Sequence, residues 1–160
     1  MFRNLRRKKQ ELDRIACERL LLIERRGALG MEGSSGYPYV IPINYLYCSE
    51  NGSSAVYFHS AKEGHKVDAL ASNPKVCFTV WNKGTQEEGD WSYFVDSVIC
   101  FGEAMIVEDE QERLEYTKKF AMKYFDNEEE VDADLEQNLP RMLLYRIDVQ
   151  HMCGKHVHER

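Results

Sequence analysis

The stretch from Val56 to Leu70 constrains the fold more than any other part of the chain, because a strand pattern runs directly into a helix pattern there. Its first residues are β-branched or aromatic and alternate between two faces, with Val56 and Phe58 on the same face, which predicts a strand. Val67, Leu70 and Ala71 then recur at the spacing of one helical face. We therefore expect a sheet strand that is followed at once by a short helix.

The junction between these two elements, residues 59–66, is polar and basic. The start of a helix carries free backbone N–H groups and the positive end of the helix dipole, and cationic side chains add to both. The junction is therefore suited to a phosphate group. A solvated loop that only connects two elements is the alternative, and this stretch alone does not decide between them.

The length and composition are those of one globular domain. The chain has 160 residues, of which 43% are apolar and 30% charged. We expect a single domain over residues 1–160, with a flexible basic arm at 1–9 and a flexible tail at 151–160. No apolar run approaches a membrane span, and no apolar segment follows the basic start as it would in a secretory signal. These observations predict a cytoplasmic protein without membrane contact.

Net charge and cysteine spacing argue against further classes of protein. The net charge of −6 disfavours general nucleic-acid binding, and we interpret the basic run at the start as a solvated arm. The five cysteines are irregularly spaced and contain no Cys-x-x-Cys motif. This pattern argues against a disulfide scaffold and a zinc site, so we predict no bound metal and expect most of the thiols in the core.

The C-terminal segment offers a competing hypothesis for a bound group. His151, Cys153, His156 and His158 are close enough in sequence to bind a transition metal or a haem iron, although their spacing fits no standard zinc pattern. The alternative is a frayed tail that begins where the last strand ends, near Gly154.

The remaining pattern predicts an antiparallel barrel with peripheral helices. A helix at 9–26 ends at Gly27, and a turn at 33–36 joins two strands. Pro42 requires an edge or a bulge in the strand at 39–48, and Asn51-Gly52 forms a hairpin that brings Asn44 and His59 to neighbouring positions. The other predicted elements are strands at 28–31, 76–81, 93–108 and 142–149, a bend at Gly102, and a helix from Asp109 to Phe125 that presents Leu114, Thr117, Phe120, Ala121 and Tyr124 inward. The acidic segment 126–136 is expected to be a mobile loop.

Four motifs in this order resemble the pyridoxamine 5′-phosphate oxidase-like split β-barrel superfamily, and within it the FMN-binding branch related to nitroimidazole reductases. The motifs are Pro38-Tyr39-Val40-Ile41-Pro42-Ile43-Asn44-Tyr45, Val56-Tyr57-Phe58-His59-Ser60-Ala61 with Gly64-His65-Lys66, Asn73-Pro74-Lys75-Val76, and Ser97-Val98-Ile99-Cys100-Phe101-Gly102-Glu103-Ala104. With the order of the elements around them, the resemblance extends over about residues 10–155. The resemblance implies a mainly β fold, an antiparallel split β-barrel.

The resemblance also implies a homodimer with FMN at the subunit interface. The phosphate would lie at the strand–helix junction, on His59, Ser60, Ala61, Gly64, His65 and Lys66. The ring would lie along the preceding strand, on Pro42, Ile43 and Asn44, and Ser97 would reach the flavin of the other subunit. Such a flavoprotein would reduce a small electron-poor or quinone-like substrate, with a nicotinamide as donor. A dimeric module that holds flavin or haem without turnover is the alternative.

Two departures separate this chain from the oxidases themselves. Val40 and Tyr45 stand where those enzymes carry an arginine and a lysine, and their C-terminal substrate-binding segment is missing. We therefore do not expect pyridoxamine 5′-phosphate oxidase activity. His59 and His65 flank the predicted anion site, so we interpret them as cofactor contacts rather than general acids or bases. No nucleophile–base pair is apparent, and the catalytic residues stay unassigned.

Overall fold

A computed structural model describes residues 2–159, and in this part of the chain nine strands form one sheet with four α-helices around it. The strands are β1 (Glu11–Leu12), β2 (Arg26–Glu32), β3 (Pro38–Asn44), β4 (Leu46–Glu50), β5 (Ser53–Ala61), β6 (Lys75–Trp81), β7 (Thr85–Gln86), β8 (Tyr93–Ile106) and β9 (Met142–Glu159). The helices are α1 (Arg14–Ile23), α2 (His65–Ser72), α3 (Glu110–Met122) and α4 (Glu128–Asn138). The first residue of the predicted basic arm and the last residue of the predicted tail lie outside the described residues.

The order of the strands produces a split barrel, as predicted. Seven strands follow the order β3-β2-β6-β8-β9-β5-β4, and every pairing is antiparallel. The first and last strands of this order, β3 and β4, are separated in the chain only by Tyr45. The sheet must therefore curl until its two edges approach each other, without closing into a continuous ladder. Pro42 lies in an edge strand, the position in a sheet where proline is tolerated, as the sequence required.

The split in the barrel lies at Tyr45, between β3 and β4. The prediction of one continuous strand at 39–48 is therefore wrong. The backbone N–H of Tyr45 donates to the Tyr124 hydroxyl at 2.8 Å instead of to a neighbouring strand. That hydroxyl also lies 2.6 Å from the Arg25 carbonyl and 2.8 Å from the Tyr45 carbonyl, either of which can accept its proton. The Tyr45 side chain is fully buried and donates to the Leu21 carbonyl. Tyr124, in the turn after α3, thus satisfies the backbone groups that the split leaves unpaired.

The strand β5 is buried on both faces. Val56 and Phe58 lie in the main core inside the barrel, whereas Tyr57 belongs to a second cluster and stacks on Tyr116 of α3 at 4.1 Å. Asn51 and Gly52 have φ values of 50° and 82°, which confirms the predicted hairpin into this strand.

Two sequence expectations hold at turns and bends. The register of β8 against β9 shifts between Phe101 and Gly102, where a side chain on the glycine would collide with the Asp148 backbone, so Gly102 does mark a bulge. Asp109 accepts the Glu112 backbone N–H at 2.8 Å and caps α3 as predicted, but the helix ends at Met122.

Several element boundaries were predicted wrongly. The first helix covers only residues 14–23, and Gly27 lies in β2, where a side chain would collide with Phe78. Leu114 was predicted to point inward from α3, and Ala71 was predicted on the apolar face of α2, but both are exposed. The acidic segment forms α4 instead of a loop, and β9 continues far beyond Val149, so that residues 151–159 pair with β8 instead of fraying. None of the helices described here has the length and apolar character needed to cross a membrane.

Candidate functional site

The edge strand β3 forms one wall of a pocket at which several predicted site residues meet. This β3 pocket has a volume of about 360 Å³ and is lined by Arg26, Pro42, Ile43, Asn44, His59 and Lys66. Asn44 is the last residue of β3, and it pairs with Arg26 at the start of β2. His59 comes from β5 and Lys66 from the first turn of α2. Strand curvature therefore brings together residues that are far apart in sequence.

His59 and Lys66, which both line the β3 pocket, have shifted pKa values. The Lys66 Nζ lies 3.4 Å from the His59 carbonyl and 5.6 Å from the centre of the Phe58 ring. Burial lowers the pKa of Lys66. Burial also lowers the pKa of His59, and the charge of Lys66 lowers it further, while Asp134 opposes both effects. His59 is therefore neutral at pH 7, and the cations that face the pocket are Lys66 and Arg26.

The start of α2 leaves its backbone donors available. Gly64 precedes the helix with a φ of 128°, and no side chain of the described residues 2–159 caps its first turn. The carbonyl of Gly64 accepts the N–H groups of the third and fourth residues of the turn. His65 stacks on Tyr39 at 4.2 Å and lies 3.5 Å from the Ser34 hydroxyl. Gly64 and His65 thus flank the β3 pocket without lining it.

A second and more apolar cavity lies between β5 and the helices α3 and α4. This helix cavity has a volume of about 490 Å³ and is lined by Asn44, His59, Ser60, Ala61, Thr117, Phe120, Ala121, Tyr124, Phe125, Asp134, Leu135, Asn138, Arg141 and Met142. The His59 ring packs edge-on against Phe120, with 5.1 Å between the ring centres. The Ser60 hydroxyl donates to the Ala61 carbonyl at 2.7 Å. Asn44 and His59 line both cavities, so the two are adjacent.

The rim of the helix cavity carries charge of both signs. Asp134 accepts a hydrogen bond from the Asn138 amide at 2.7 Å. Arg141 is exposed and forms no ion pair with any residue in the described part of the chain. The cavity therefore combines an apolar wall of Phe120, Phe125 and Leu135 with exposed charged residues.

Ser97 lies apart from both cavities, on the outward face of the sheet. It pairs with Trp81 of β6 and Lys155 of β9 in the register of β8. Asn44 and Arg26 project from the same face, because their positions alternate with buried residues of β3 and β2. Within one chain, Ser97 therefore shares a surface with the β3 pocket but does not line it.

The C-terminal histidines contact aromatic rings, a carboxylate and a hydroxyl group. His151 stacks on Phe2 with 4.7 Å between the ring centres, and Phe101 lies 6.2 Å from it. His156 lies 2.6 Å from an Asp96 oxygen, and His158 lies 2.6 Å from the Ser92 hydroxyl. Among residues 2–159 no group of three or more histidine, cysteine, aspartate or glutamate side chains is placed to hold a metal ion.

Comparison with known families agrees with this geometry. The model of the pyridoxamine 5′-phosphate oxidase family matches residues 13–156. The chain belongs to this family. The match covers nearly all of the sheet and both cavities, and it confirms the resemblance carried by the sequence motifs. No curated protein matches the sequence significantly.

Solved structures share the fold of this family member. A protein from Bacteroides thetaiotaomicron named for 5-nitroimidazole antibiotic resistance has a TM-score of 0.76 at 23% identity, covering 93% of this chain and 87% of its own. A FAD-binding protein from Mesorhizobium loti has a TM-score of 0.68 at 19% identity, with coverages of 92% and 97%. The flavocytochrome Anf3 from Azotobacter vinelandii has a TM-score of 0.72 at 17% identity, with coverages of 95% and 71%.

Two parts of the site were missed by sequence reasoning. Arg26 was placed at the end of a helix, although it starts β2 and faces Asn44. The α4 wall was missed because its acidic composition masked the four-residue spacing of Val131 and Leu135, which are both buried. That spacing is the signal that could have identified the helix.

Proposed function

We propose that the protein binds a flavin in the β3 pocket and uses it to reduce a small electron-poor or quinone-like substrate, with a nicotinamide as electron donor. The observation that carries this proposal is the convergence of an edge strand, Arg26 and Lys66 on one pocket that opens onto a mostly apolar cavity. Structural relatives that are named as FAD-binding proteins or as a flavocytochrome support the choice of a flavin.

The residues present fit such a group. The free edge of β3 offers backbone donors and acceptors to the polar edge of an isoalloxazine ring, next to Asn44. Lys66 and Arg26 offer charge to a phosphate, and the uncapped start of α2 adds backbone N–H groups nearby. A bound flavin would supply hydride or electron transfer. We propose FMN as the form of the flavin, because its single phosphate matches the single pair of cations, Lys66 and Arg26, in the β3 pocket.

The helix cavity is the proposed substrate pocket. It adjoins the β3 pocket at Asn44 and His59, and its wall of Phe120, Phe125 and Leu135 suits a flat apolar molecule. His59 is neutral at pH 7, so its ring can contact substrate or cofactor without a buried positive charge. The protein's part is to position the two reactants and to exclude water from the apolar wall.

A second copy of the chain is the proposed partner. A row of small or apolar residues crosses the outward face of five neighbouring strands, through Pro42, Ala28, Thr79, Ile99 and Cys153. Ala28, Thr79, Ile99 and Cys153 are only half-buried in the single chain. This outer face borders the β3 pocket and includes Ser97, so a homodimer formed through it would bring Ser97 towards the flavin of the other subunit.

A visible absorption spectrum tests the proposal. The purified protein is measured before and after addition of FMN and removal of the excess. We expect a retained flavin spectrum that is bleached by a nicotinamide without oxygen and restored by menadione, a quinone. A protein that stays colourless would contradict flavin binding. A flavin that is held but neither reduced nor reoxidised would favour a non-catalytic module, and a Soret band would favour haem.

A further inference from the structure

A third cavity lies beside the β3 pocket and differs from it in chemistry. This Trp81 groove has a volume of about 780 Å³ and is lined by Ile23, Glu24, Arg25, Arg26, Asn44, Trp81, Asn82, Lys83 and Tyr124. It is formed by the end of α1, the start of β2 and the loop after β6. Its volume lies within the range of pockets that bind small molecules and cofactors.

The groove carries an excess of positive charge. Arg25, Arg26 and Lys83 face Glu24 alone, and all three cations are exposed. Arg25 donates to the Tyr124 carbonyl at 3.1 Å, which fixes its position. Arg26 and Lys83 form no ion pair with any residue of the described chain, so their charge is available to a ligand. A ligand with more than one negative charge would compensate this excess.

The same groove offers apolar surfaces to a flat group. In the single chain, Trp81 is 52% exposed and Ile23 is 61% exposed, and both line the groove. An exposed indole next to cations is a typical platform for a nucleotide base, because the base stacks on the ring while the cations meet its phosphates. The Asn82 Oδ1 accepts the Gly84 and Asp96 N–H groups, each at 3.1 Å, so Lys83 stands on a fixed turn beside the indole.

The groove is continuous with the β3 pocket. Arg26 and Asn44 line both. A molecule bound in the groove would thus extend to the place where the flavin ring is proposed to lie. We infer that the Trp81 groove binds the adenosine 5′-diphosphate half of a dinucleotide, with the base on Trp81 and the pyrophosphate between Arg26 and Lys83.

Two dinucleotides carry this chemistry, and the inference rests on the proposed function for the choice between them. The adenosine diphosphate group belongs to FAD itself or to the nicotinamide donor of an FMN-loaded protein. Both would reach from the groove to the β3 pocket, with the pyrophosphate between Arg26 and Lys83 and the base on Trp81. For FAD, this pyrophosphate position would replace the phosphate position at Lys66 that is proposed for FMN.

Calorimetric titration of ADP-ribose into the FMN-loaded protein tests the assignment. Lys83→Glu is expected to weaken binding about tenfold or more, since it removes one charge-assisted contact. Trp81→Ala is expected to weaken binding about fivefold or more by removing the stacking surface, while Trp81→Phe keeps most of it. Lys75→Glu on the far end of β6 and Trp91→Ala in the next loop are matched controls that should bind as the parent does.

The arms of the experiment separate the sources and the failures. Binding of ADP-ribose to FMN-loaded protein identifies the nicotinamide donor. If the protein is purified with FAD, the groove variants should instead reduce its preference for FAD over FMN, which identifies the adenylate of the flavin. The assignment is overturned if the parent neither binds ADP-ribose nor prefers FAD, or if the controls weaken binding as much as the groove variants. ADP-ribose binding to a protein that takes no flavin would support the groove while contradicting the proposed function.

Discussion

Burial lowers the pKa values of two lysines, Lys66 and Lys123, but the two side chains have different roles. Lys66 faces the β3 pocket, and within residues 2–159 its Nζ has one hydrogen-bond acceptor, the His59 carbonyl at 3.4 Å. Lys123 is instead fully engaged, because its Nζ donates to the Glu24 carbonyl at 2.7 Å and lies 3.9 Å from the centre of the Tyr45 ring. The first lysine is free to meet a ligand, whereas the second holds the end of α3 against the split in the barrel.

Replacing Lys66 tests the phosphate position. Lys66→Ala should weaken FMN binding by about 1.5–3 kcal/mol, the value of a hydrogen bond to a charged group. Binding of riboflavin, which lacks the phosphate, should be nearly unchanged, and fluorescence titration with both flavins measures the difference. Lys62→Ala, an exposed lysine in the same connection, is the matched control. Equal losses for FMN and riboflavin would show that Lys66 acts on the ring or on the fold instead.

The pKa of Lys123 predicts a pH dependence of stability. Burial, and then the charge of Arg25, lower this pKa from 10.5 to about 8. Between these two values the unfolded chain binds more protons at this site than the folded protein, so the unfolding free energy rises with pH across that window. Relative to Lys123→Met, the parent should gain about 1–2 kcal/mol from pH 8 to 10, a value reduced for partial exposure. Urea denaturation at several pH values measures it, and a constant difference would contradict the shift.

At the scale of elements, α4 shows how an acidic segment becomes ordered. Asn127 caps the helix by accepting the Glu129 N–H at 3.0 Å, and Lys118 of α3 pairs with Glu128 and Asp132 at 2.8 and 2.9 Å. Exposed ion pairs of this kind contribute little. The helix is therefore held mainly by its buried apolar residues, which pack on Ala121 of α3 and form the outer wall of the helix cavity.

Truncating the buried face of α4 tests this account. Leu135→Ala should lower the unfolding free energy by about 2 kcal/mol or more, because it leaves a cavity between α3 and α4. The adjacent exposed Glu136→Ala should change it by less than about 0.5 kcal/mol. Chemical denaturation measures both. If the two variants were equally stable, α4 would not be docked through Leu135. Because this residue also lines the helix cavity, the variant should raise the KM for menadione more than it changes FMN affinity.

At the scale of the whole molecule, local patterns predicted the sheet but not its ends. Alternation and turn residues identified most strands, including the bulge at Gly102, because they depend on neighbours in sequence. The split at Tyr45 has no local signal, since the apolar alternation continues through it from β3 into β4. The Tyr124 hydroxyl fills the gap at the split, and it comes from the turn after α3, far away in sequence. The site follows the same division between local and distant signals. Asn44, His59 and Lys66 lie in sequence motifs and could be proposed from them, whereas the place of Arg26 depends on a strand pairing that only the fold reveals.

The outer face permits one more test, which concerns the molecule as an assembly. If two copies associate through the row of residues that crosses β3, β2, β6, β8 and β9, a charge at its centre must be buried without a partner. Ile99→Arg should therefore weaken dimerisation about a hundredfold or more, as measured by light scattering over a range of protein concentrations. Leu22→Arg, on an exposed position of α1, is the matched control and should remain dimeric. Circular dichroism should be the same for both variants and the parent.

The same variant links assembly to the cofactor. The β3 pocket is open on the side of the outer face, and Ser97 cannot reach it within one chain, so a monomer should retain FMN less well than the dimer does. Ile99→Arg should therefore lose flavin on gel filtration at concentrations where Leu22→Arg keeps it. A parent protein that is monomeric at every concentration would refute the dimer. A monomeric Ile99→Arg protein that holds FMN as tightly as the parent would instead place the whole flavin site within one chain and remove Ser97 from it.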